Sequence, residues 1–417
     1  MSKSRILIIT QNFYPEIGSH ANRMTNLFQL LKQEGYDVSV LTTEPSYPNK
    51  HIYEDKKFWD NKSLDNEEKI HRVKVKNRKY ALNMLNRLIH YLEISMKMLL
   101  FILFQKQKFD IVLVTTPAIF IAFVGLIARL RYRAKFILDV RDLWPESLKG
   151  VGVFDNALII KFFSLLEIFL YKKSNHIIIN SIGFKDYIVK KAKINPDKIT
   201  YLPNAARLYE LQPAYKFHKN FRVIYTGNIG LAQDVEFLKD LIRKLDKQHI
   251  QITIVGYGQK KNDLIHFIKE NRLHNVSIVN PTTRAECLAL NAKHDVGILS
   301  LNNNEVFETV LPGKLIDYMM SGIPVVAAVS GYSKEIIETY QTGFVSEKRD
   351  AYEIVKKILL LKYNPDLREK TASNGLKLIQ SHFIWEKNIK TLTSLLKEEP
   401  SAEPIPLLKR IDKDIKL

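Results

Sequence analysis

The 417-residue chain has one cysteine, Cys287. That excludes an intramolecular disulfide and any cysteine-rich metal site, and it fits a reducing compartment. Acids are scarce as well: 44 Asp and Glu stand against 63 Lys and Arg, a net charge of +19. Such an imbalance calls for an anionic partner, whether phosphate ligands, a lipid surface or nucleic acid. The N-terminus, MSKSRILIIT, has too little apolar length for a signal peptide and reads straight into a buried strand. One uncharged run, 111–128, reaches the lower limit for a membrane span. It is interrupted by Thr-Thr-Pro, and strand, turn and helix account for it better than a single spanning helix. What is present in quantity is apolar residues, 46% of the chain, enough to exclude disorder. The length suggests two or three domains.

The positive charge is concentrated. Between Lys69 and Lys108 there are ten Lys or Arg and one acid, Glu93. KIHRVKVKNRKY alternates basic and apolar residues. The next stretch has helical spacing of Leu85, Leu88, Ile89, Leu92, Met96, Leu99, Leu100 and Leu103, fringed by Arg87, His90, Lys97, Lys106 and Lys108. Two readings fit: a core helix with a solvated basic face, or a helix lying on an anionic bilayer.

Strands and helices alternate along the chain. RILIIT (5–10), DVSVLT (37–42), DIVLVTT (110–116), KFILDV (135–140), HIIINS (176–181) and ITYLP (199–203) read as buried strands, with helices between them. The pattern breaks near 204–220. It restarts with FRVIYTG (221–227), QITIVGYG (251–258), VSIVN (276–280), DVGILSL (295–301), IPVVAAV (323–329) and GFVS (343–346). Helices follow at about 350–362, 365–382 and 383–398, and then a Pro-rich, charged tail. The expected architecture is α/β: two Rossmann-like domains with parallel sheets facing a central cleft. They span 1–205 and 206–382, and the piece 383–417 packs back on the first.

Three strand-to-helix turns carry glycine. Gly18 and Ser19 precede a helix in QNFYPEIGSHANR, where the backbone can approach an anion closely and His20, Asn22 and Arg23 add polar groups. Gly227 and Gly230 in YTGNIGLAQD stand beside Asn228 and Gln233, candidate donors to phosphate oxygens. VGYGQKKNDL repeats the pattern. Each alone is an ordinary turn; three on matching strand ends point to a phosphorylated ligand. FETVLPGKLIDYMMSGIPVVAA (307–328) is the most informative segment. Gly313 opens a helix with Lys314 in its first turn, where a cation is unfavourable unless it meets an anion. Asp317 is placed to accept from ribose hydroxyls.

NFYPEIGSHANRMTNLFQLLKQEGYDVSVLT, DVRDLWPES (139–147), LPNAA (202–206), YTGNIGLAQ (225–233), VGYG (255–258) and PGKLIDYMMSGIPVV (312–326), in that order, resemble the retaining glycosyltransferases of family 4, with the GT-B fold. RDLWPES and GNIGLAQ resemble the capsule, O-antigen and exopolysaccharide branch, including N-acetyl-fucosamine transferases. The resemblance implies a UDP-sugar donor held by the second half and a polyprenyl-diphosphate-linked saccharide acceptor held by the first. It implies no metal or other cofactor, and a lipid-linked acceptor together with the basic stretch Lys69–Lys108 points to an anionic membrane surface at the cytoplasmic face of a bacterial inner membrane. Donor binding falls to Gly18, Ser19, Gly227, Asn228, Gln233, Glu308, Thr309, Gly313, Lys314 and Asp317. Acceptor binding falls to His20, Arg141, Asp142 and Glu146, and catalysis to Glu16, Asp142 and Lys314.

The sequence departs from the broad family pattern of two glutamates separated by seven residues. Thr309, with Glu308 beside it, and Asp317 stand at those places. Asn228 and Gln233 replace the Arg and Lys of the phosphate loop, and Arg141 replaces a His. More of the phosphate charge therefore falls to Lys314. Two other readings compete. A nucleotide-sugar 2-epimerase shares the architecture but needs no lipid acceptor. A nucleic-acid-binding protein would suit the charge, but no RNA or DNA motif is present.

Overall fold

A computed structural model describes residues 4–76, 84–117, 119–150, 156–212, 218, 220–230 and 232–397. Their strands form two parallel sheets, of seven and six strands. The chain divides into two compact units, one running to Pro203 and resuming at Ile389, the other Asn204–Asn388.

In the first unit the strands are β1 (Arg5–Ile9), β2 (Asp37–Thr43), β3 (Ile70–Val73), β4 (Ile111–Thr115), β5 (Lys135–Val140), β6 (His176–Ile179) and β7 (Ile199–Tyr201). Their order is β3-β2-β1-β4-β5-β6-β7, so the winding direction reverses between β1 and β4. Its helices are α1 (Ser19–Gln33), α2 (Lys62–Asp65), α3 (Met84–Phe104), α4 (Ile119–Tyr132), α5 (Glu146–Gly150), α6 (Ala157–Lys173) and α7 (Phe184–Ala192). The continuous apolar runs make buried strands: Ile6, Leu7, Ile8 and Ile9 are wholly inaccessible. Arg23 on α1 forks onto Asp139 on β5, with Nη2 2.7 Å from Oδ1 and both side chains fully buried. That pair fixes α1, and the turn before it, to the middle of the sheet.

The second unit holds β8 (Arg222–Asn228), β9 (Gln251–Tyr257), β10 (Val276–Val279), β11 (Val296–Ser300), β12 (Val325–Ala328) and β13 (Gly343–Val345), in the order β10-β9-β8-β11-β12-β13. Its helices are α8 (Val235–Lys247), α9 (Lys261–Glu270), α10 (Arg284–Asn291), α11 (Glu305–Glu308), α12 (Gly313–Met320), α13 (Gly331–Thr339), α14 (Ala351–Tyr363) and α15 (Pro365–His382), followed by α16 (Trp385–Lys397), which crosses the boundary. Asp234 caps α8 by accepting from Phe237 N at 2.9 Å. The helix then buries Phe237, Leu238, Leu241, Ile242 and Leu245 against the sheet. Each such side chain contributes about 2 kcal/mol.

The expected strands all form, within two residues at either end. β4 followed by α4 replaces any continuous span at 111–128, and no helix among the described residues is long and apolar enough to cross a membrane. β3 was not anticipated. Its residues are only partly buried, as on an edge strand, and their apolar signal is diluted by His71 and Arg72. The tail expected after the last helix, and Arg78 and Lys79 of the basic stretch, lie outside the described residues.

The apolar series on α3 behaves differently from a core stripe. Ile94, Met98 and Ile102 face inward, whereas Leu88, Leu92, Met96, Leu100 and Leu103 are exposed. The reading of that series as the core face is therefore corrected: the helix is apolar on both sides.

Candidate active site

In the first unit the turn after β1 leads into α1. Gly18 stands at the helix start with φ 114, a conformation that favours glycine, and Asn22 N donates to its carbonyl at 3.1 Å. Ser19 is exposed beside it. His20 follows, and burial together with the nearby Arg141 guanidinium lowers its pKa to about 3, so the ring is neutral. Arg141, just past β5, donates from Nε to Thr115 Oγ1 at 2.6 Å and to the Thr116 carbonyl at 3.0 Å. Burial lowers its pKa to about 10, which leaves it charged at neutral pH. Gly18, His20 and Arg141 thus converge at the carboxyl ends of β1, β4 and β5, at the reversal of strand order, where open α/β sheets bind ligands.

The acids of this unit are not equivalent. Glu16 is buried, and its Oε1 accepts from Ser46 N at 2.6 Å and Tyr47 N at 2.9 Å, while Asn12 Nδ2 donates to Oε2 at 2.6 Å. Burial raises its pKa to about 7 against the lowering effect of those bonds and of Arg72. Its carboxylate ties the β1 loop to the loop after β2 rather than standing open to a substrate. Glu146 accepts from Lys191 at 3.3 Å, and Lys191 also pairs with the buried Glu167 at 2.9 Å. It belongs to a network with α6 and α7, which the sequence left unseen. Asp142 lines a small hollow with Thr116, Pro117, Trp144, Glu167 and Tyr171. Burial raises its pKa, opposed by a hydrogen bond from Ser147 and by Arg141. Of the three, Glu16 is buried, while Asp142 borders this hollow and Glu146 keeps partial exposure.

In the second unit Gly227 ends β8 with φ 112. A methyl group built on it would sit 3.7 Å from Lys314 Nζ, so the ammonium group rests over the glycine. Lys314 lies in the first turn of α12, donates to Tyr225 Oη at 3.1 Å and stands 4.2 Å from the centre of that ring. Burial lowers its pKa to about 7, opposed by Asp317. A cation held at a helix amino end and half-desolvated, whose hydrogen-bond partner among the described residues is a phenol and whose neighbouring carboxylate, Asp317, is shared with Arg284, is short of negative charge. A bound anion would supply it.

The turn beside Lys314 is tightly built. Asn228 Oδ1 is buried without a hydrogen-bond partner. Gly258, with φ 120, lets β9 pass it: a Cβ there would come 2.2 Å from that oxygen. Gln233 turns inward, its Oε1 accepting from Gly230 N at 3.1 Å, so it shapes the loop. Glu308 is exposed and accepts from Ser330 Oγ at 3.5 Å. Thr309 donates its hydroxyl to the Val306 carbonyl at 2.7 Å, closing the short α11.

Asp317 does not stand free. Arg284 Nη1 donates to its Oδ1 at 3.1 Å, and the same guanidinium reaches Glu210, with Nη2 3.2 Å from Oε2. Burial raises the Asp317 pKa and Arg284 opposes the rise. Sequence reasoning missed Arg284 and Glu210. A local signal existed, since Arg284 begins α10 directly after the N-cap Thr283, inside the Thr283–Glu286 capping box, and is a cation where the helix dipole opposes one.

Residues 18–205 match the Glycosyl transferase 4-like domain, and residues 210–378 match Glycosyl transferases group 1. The chain is 22% identical over 389 residues to Escherichia coli K12 WcaI, whose name assigns it provisionally to colanic acid glycosyl transfer. That alignment covers 88% of this chain and 95% of WcaI. It is 26% identical over 335 residues to the capsular polysaccharide biosynthesis glycosyltransferase CapM of Staphylococcus aureus, covering 73% of this chain and 81% of CapM. Among solved structures it is similar to Anabaena HepE crystallised with UDP and glucose. The TM-score is 0.69 with 15% identity, over 95% of this chain and all of HepE. The parallel seven- and six-stranded sheets and these neighbours make the fold GT-B, of two Rossmann-like domains. The chain is a glycosyltransferase, built from an amino-terminal glycosyl transferase 4-like domain and a carboxyl-terminal domain of the group 1 family.

Proposed function

We propose that the enzyme transfers a sugar from a UDP-sugar to a polyprenyl-diphosphate-linked saccharide during assembly of a bacterial surface polysaccharide, with retention at the anomeric carbon. The observation that carries the donor reading is Lys314, poised over Gly227 at the start of α12 without a carboxylate hydrogen-bonded to its ammonium group. The diphosphate lies there, against the Gly227–Gly230 backbone, and Lys314 stabilises the charge that develops on it as the glycosidic bond breaks. Gly313 leaves the amino end of α12 open for the same oxygens. Asp317, oriented by Arg284, accepts from the ribose, and the side-chain N–H groups of Asn228 donate to the diphosphate. Glu308 and Thr309 remain the candidates for the sugar hydroxyls. Gly18 and Ser19, with His20 and Arg141, offer a second site for anionic or polar groups, and Asp142 is the acid proposed to position the acceptor hydroxyl. Retention follows if that hydroxyl attacks the face the phosphate leaves and passes its proton to the departing oxygen. No metal enters this scheme. The named relatives in colanic acid and capsule biosynthesis support a role in surface-polysaccharide assembly, and the UDP-bound neighbour supports the donor class.

Mass spectrometry of products from a nucleotide-sugar panel, offered with a polyprenyl-diphosphate-linked saccharide, tests this reading. The acceptor should gain one sugar. An isomerised nucleotide sugar formed without acceptor would instead identify a 2-epimerase.

A further inference from the structure

We infer that α3, α4 and α6 together form one docking face for an anionic lipid bilayer, which holds the first domain on the membrane without crossing it. The three helices lie side by side, with α4 packed against both others. On α3, Leu92, Met96, Leu100, Leu103 and Phe104 point to solvent, and Phe104 is 80% exposed. On α4, Ile127 and Leu130 do the same, Leu130 at 72%. On α6, Leu158, Phe162, Leu165 and Phe169 follow spacings of four, three and four, which places all four on one side of the helix, and each is exposed. Phe123 of α4 stacks on Phe169 of α6, with ring centres 6.1 Å apart, and closes the gap between the two helices. An apolar surface continuous over three helices exceeds the scattered leucines of an ordinary monomer and marks an interaction site.

Charge selects the occupant. Lys106 and Lys108 follow α3, Arg131 and Arg133 end α4, and Lys172 and Lys173 end α6; all six are exposed. The acids on these three helices are Glu93 and Glu167, and both are already paired, with Lys97 at 3.0 Å and Lys191 at 2.9 Å. An apolar face with a basic rim and no free acid matches lipid chains beneath anionic headgroups. A second copy of this face would set the six cations against another six. None of the described helices is long and apolar enough to span, so the contact is interfacial. The inference rests on the lipid-linked acceptor for its purpose, though not for its geometry.

Flotation of the full chain with vesicles of 70% phosphatidylethanolamine and 30% phosphatidylglycerol, against phosphatidylcholine vesicles, tests it. The wild type should float with the anionic vesicles and at least tenfold less with the neutral ones. Phe162→Asp/Leu165→Asp, at exposed positions that leave the core intact, should reduce partitioning at least tenfold with an unchanged melting temperature. Tyr363→Asp in the second domain, equally exposed, should not. Lys172→Glu/Lys173→Glu should lose roughly fivefold for each charge neutralised and more on reversal. Wild type that stays with the soluble fraction, a double variant that floats like wild type, or a concentration-dependent dimer abolished by the α6 variant would each overturn the proposal. UDP titration of the same samples separates the two readings. Intact UDP binding without flotation removes the docking face alone, and flotation without UDP binding removes the donor reading alone.

Discussion

Lys314→Met should make the protein more stable and less able to bind its donor. The pKa of Lys314 is lowered by burial from the ordinary 10.5 to about 7. At full burial that difference equals about 5 kcal/mol of disfavour for the charged form. The side chain keeps partial solvent contact, so the gain expected on removing the charge is about 1–2 kcal/mol at pH 6. For a domain of this size that raises the melting temperature by about 2–8 °C. The sign follows from linkage. A lysine whose folded pKa is depressed penalises the fold below that pKa, and the penalty fades as pH rises through 7 towards 10.5. Stability of the wild type should therefore increase from pH 6 to pH 9 relative to that of the methionine variant. Binding moves the other way. A lost charge-assisted contact of about 1.5–3 kcal/mol weakens UDP by roughly 10- to 150-fold. Differential scanning calorimetry at pH 6 and 9, with UDP titrations, reads both quantities. A variant that is less stable at pH 6 and binds UDP normally would refute the reasoning, because Lys314 would then be a packing residue.

Arg284→Gln should weaken nucleotide binding about tenfold and destabilise the second domain by about 1–3 kcal/mol, because Glu210 and Asp317 lose their shared partner, as titration and chemical denaturation would show. Arg23→Met leaves the buried Asp139 without its hydrogen-bonded partner, offset only by the nearby Arg141 guanidinium, and should cost about 3–5 kcal/mol by denaturation, whereas Arg23→Met with Asp139→Leu should recover most of it. Glu16→Gln should flatten the pH profile of stability. A carboxyl raised to about 7 stabilises the fold fully below pH 4.5 and loses that contribution as pH rises through 7, and the amide has no such loss.

The parts of the site that could be read from the sequence are those made by adjacent residues. Gly18 and Gly227 announce themselves by a strand end followed by a helix start, and Lys314 by its place in the first turn of a helix opened by Pro-Gly; the structure has all three at such positions. The bond by which Gln233 Oε1 accepts from Gly230 N depends on a side-chain rotamer that spacing cannot reveal. Arg284, Glu210 and Asp317 are 74 and 33 residues apart in the chain, and only the packed domain brings them together. Periodicity located α3 but not its orientation. Leucines every three or four residues look the same whether they face a core or a membrane, and on this helix the longer apolar series faces out. The sheets were legible because buried parallel strands are unbroken apolar runs; β3, half-exposed at an edge and carrying His71 and Arg72, was not.

Proton uptake on UDP binding tests the central claim most directly. At pH 8 a lysine with a pKa of about 7 is roughly one-tenth protonated, and a bound diphosphate should draw it to nearly full charge. Calorimetry at pH 8 in buffers of different ionisation enthalpy should therefore report uptake of about 0.9 proton per UDP, absent in Lys314→Met. Uptake near zero in the wild type, or equal uptake in the variant, would contradict the placement of the donor diphosphate at Lys314.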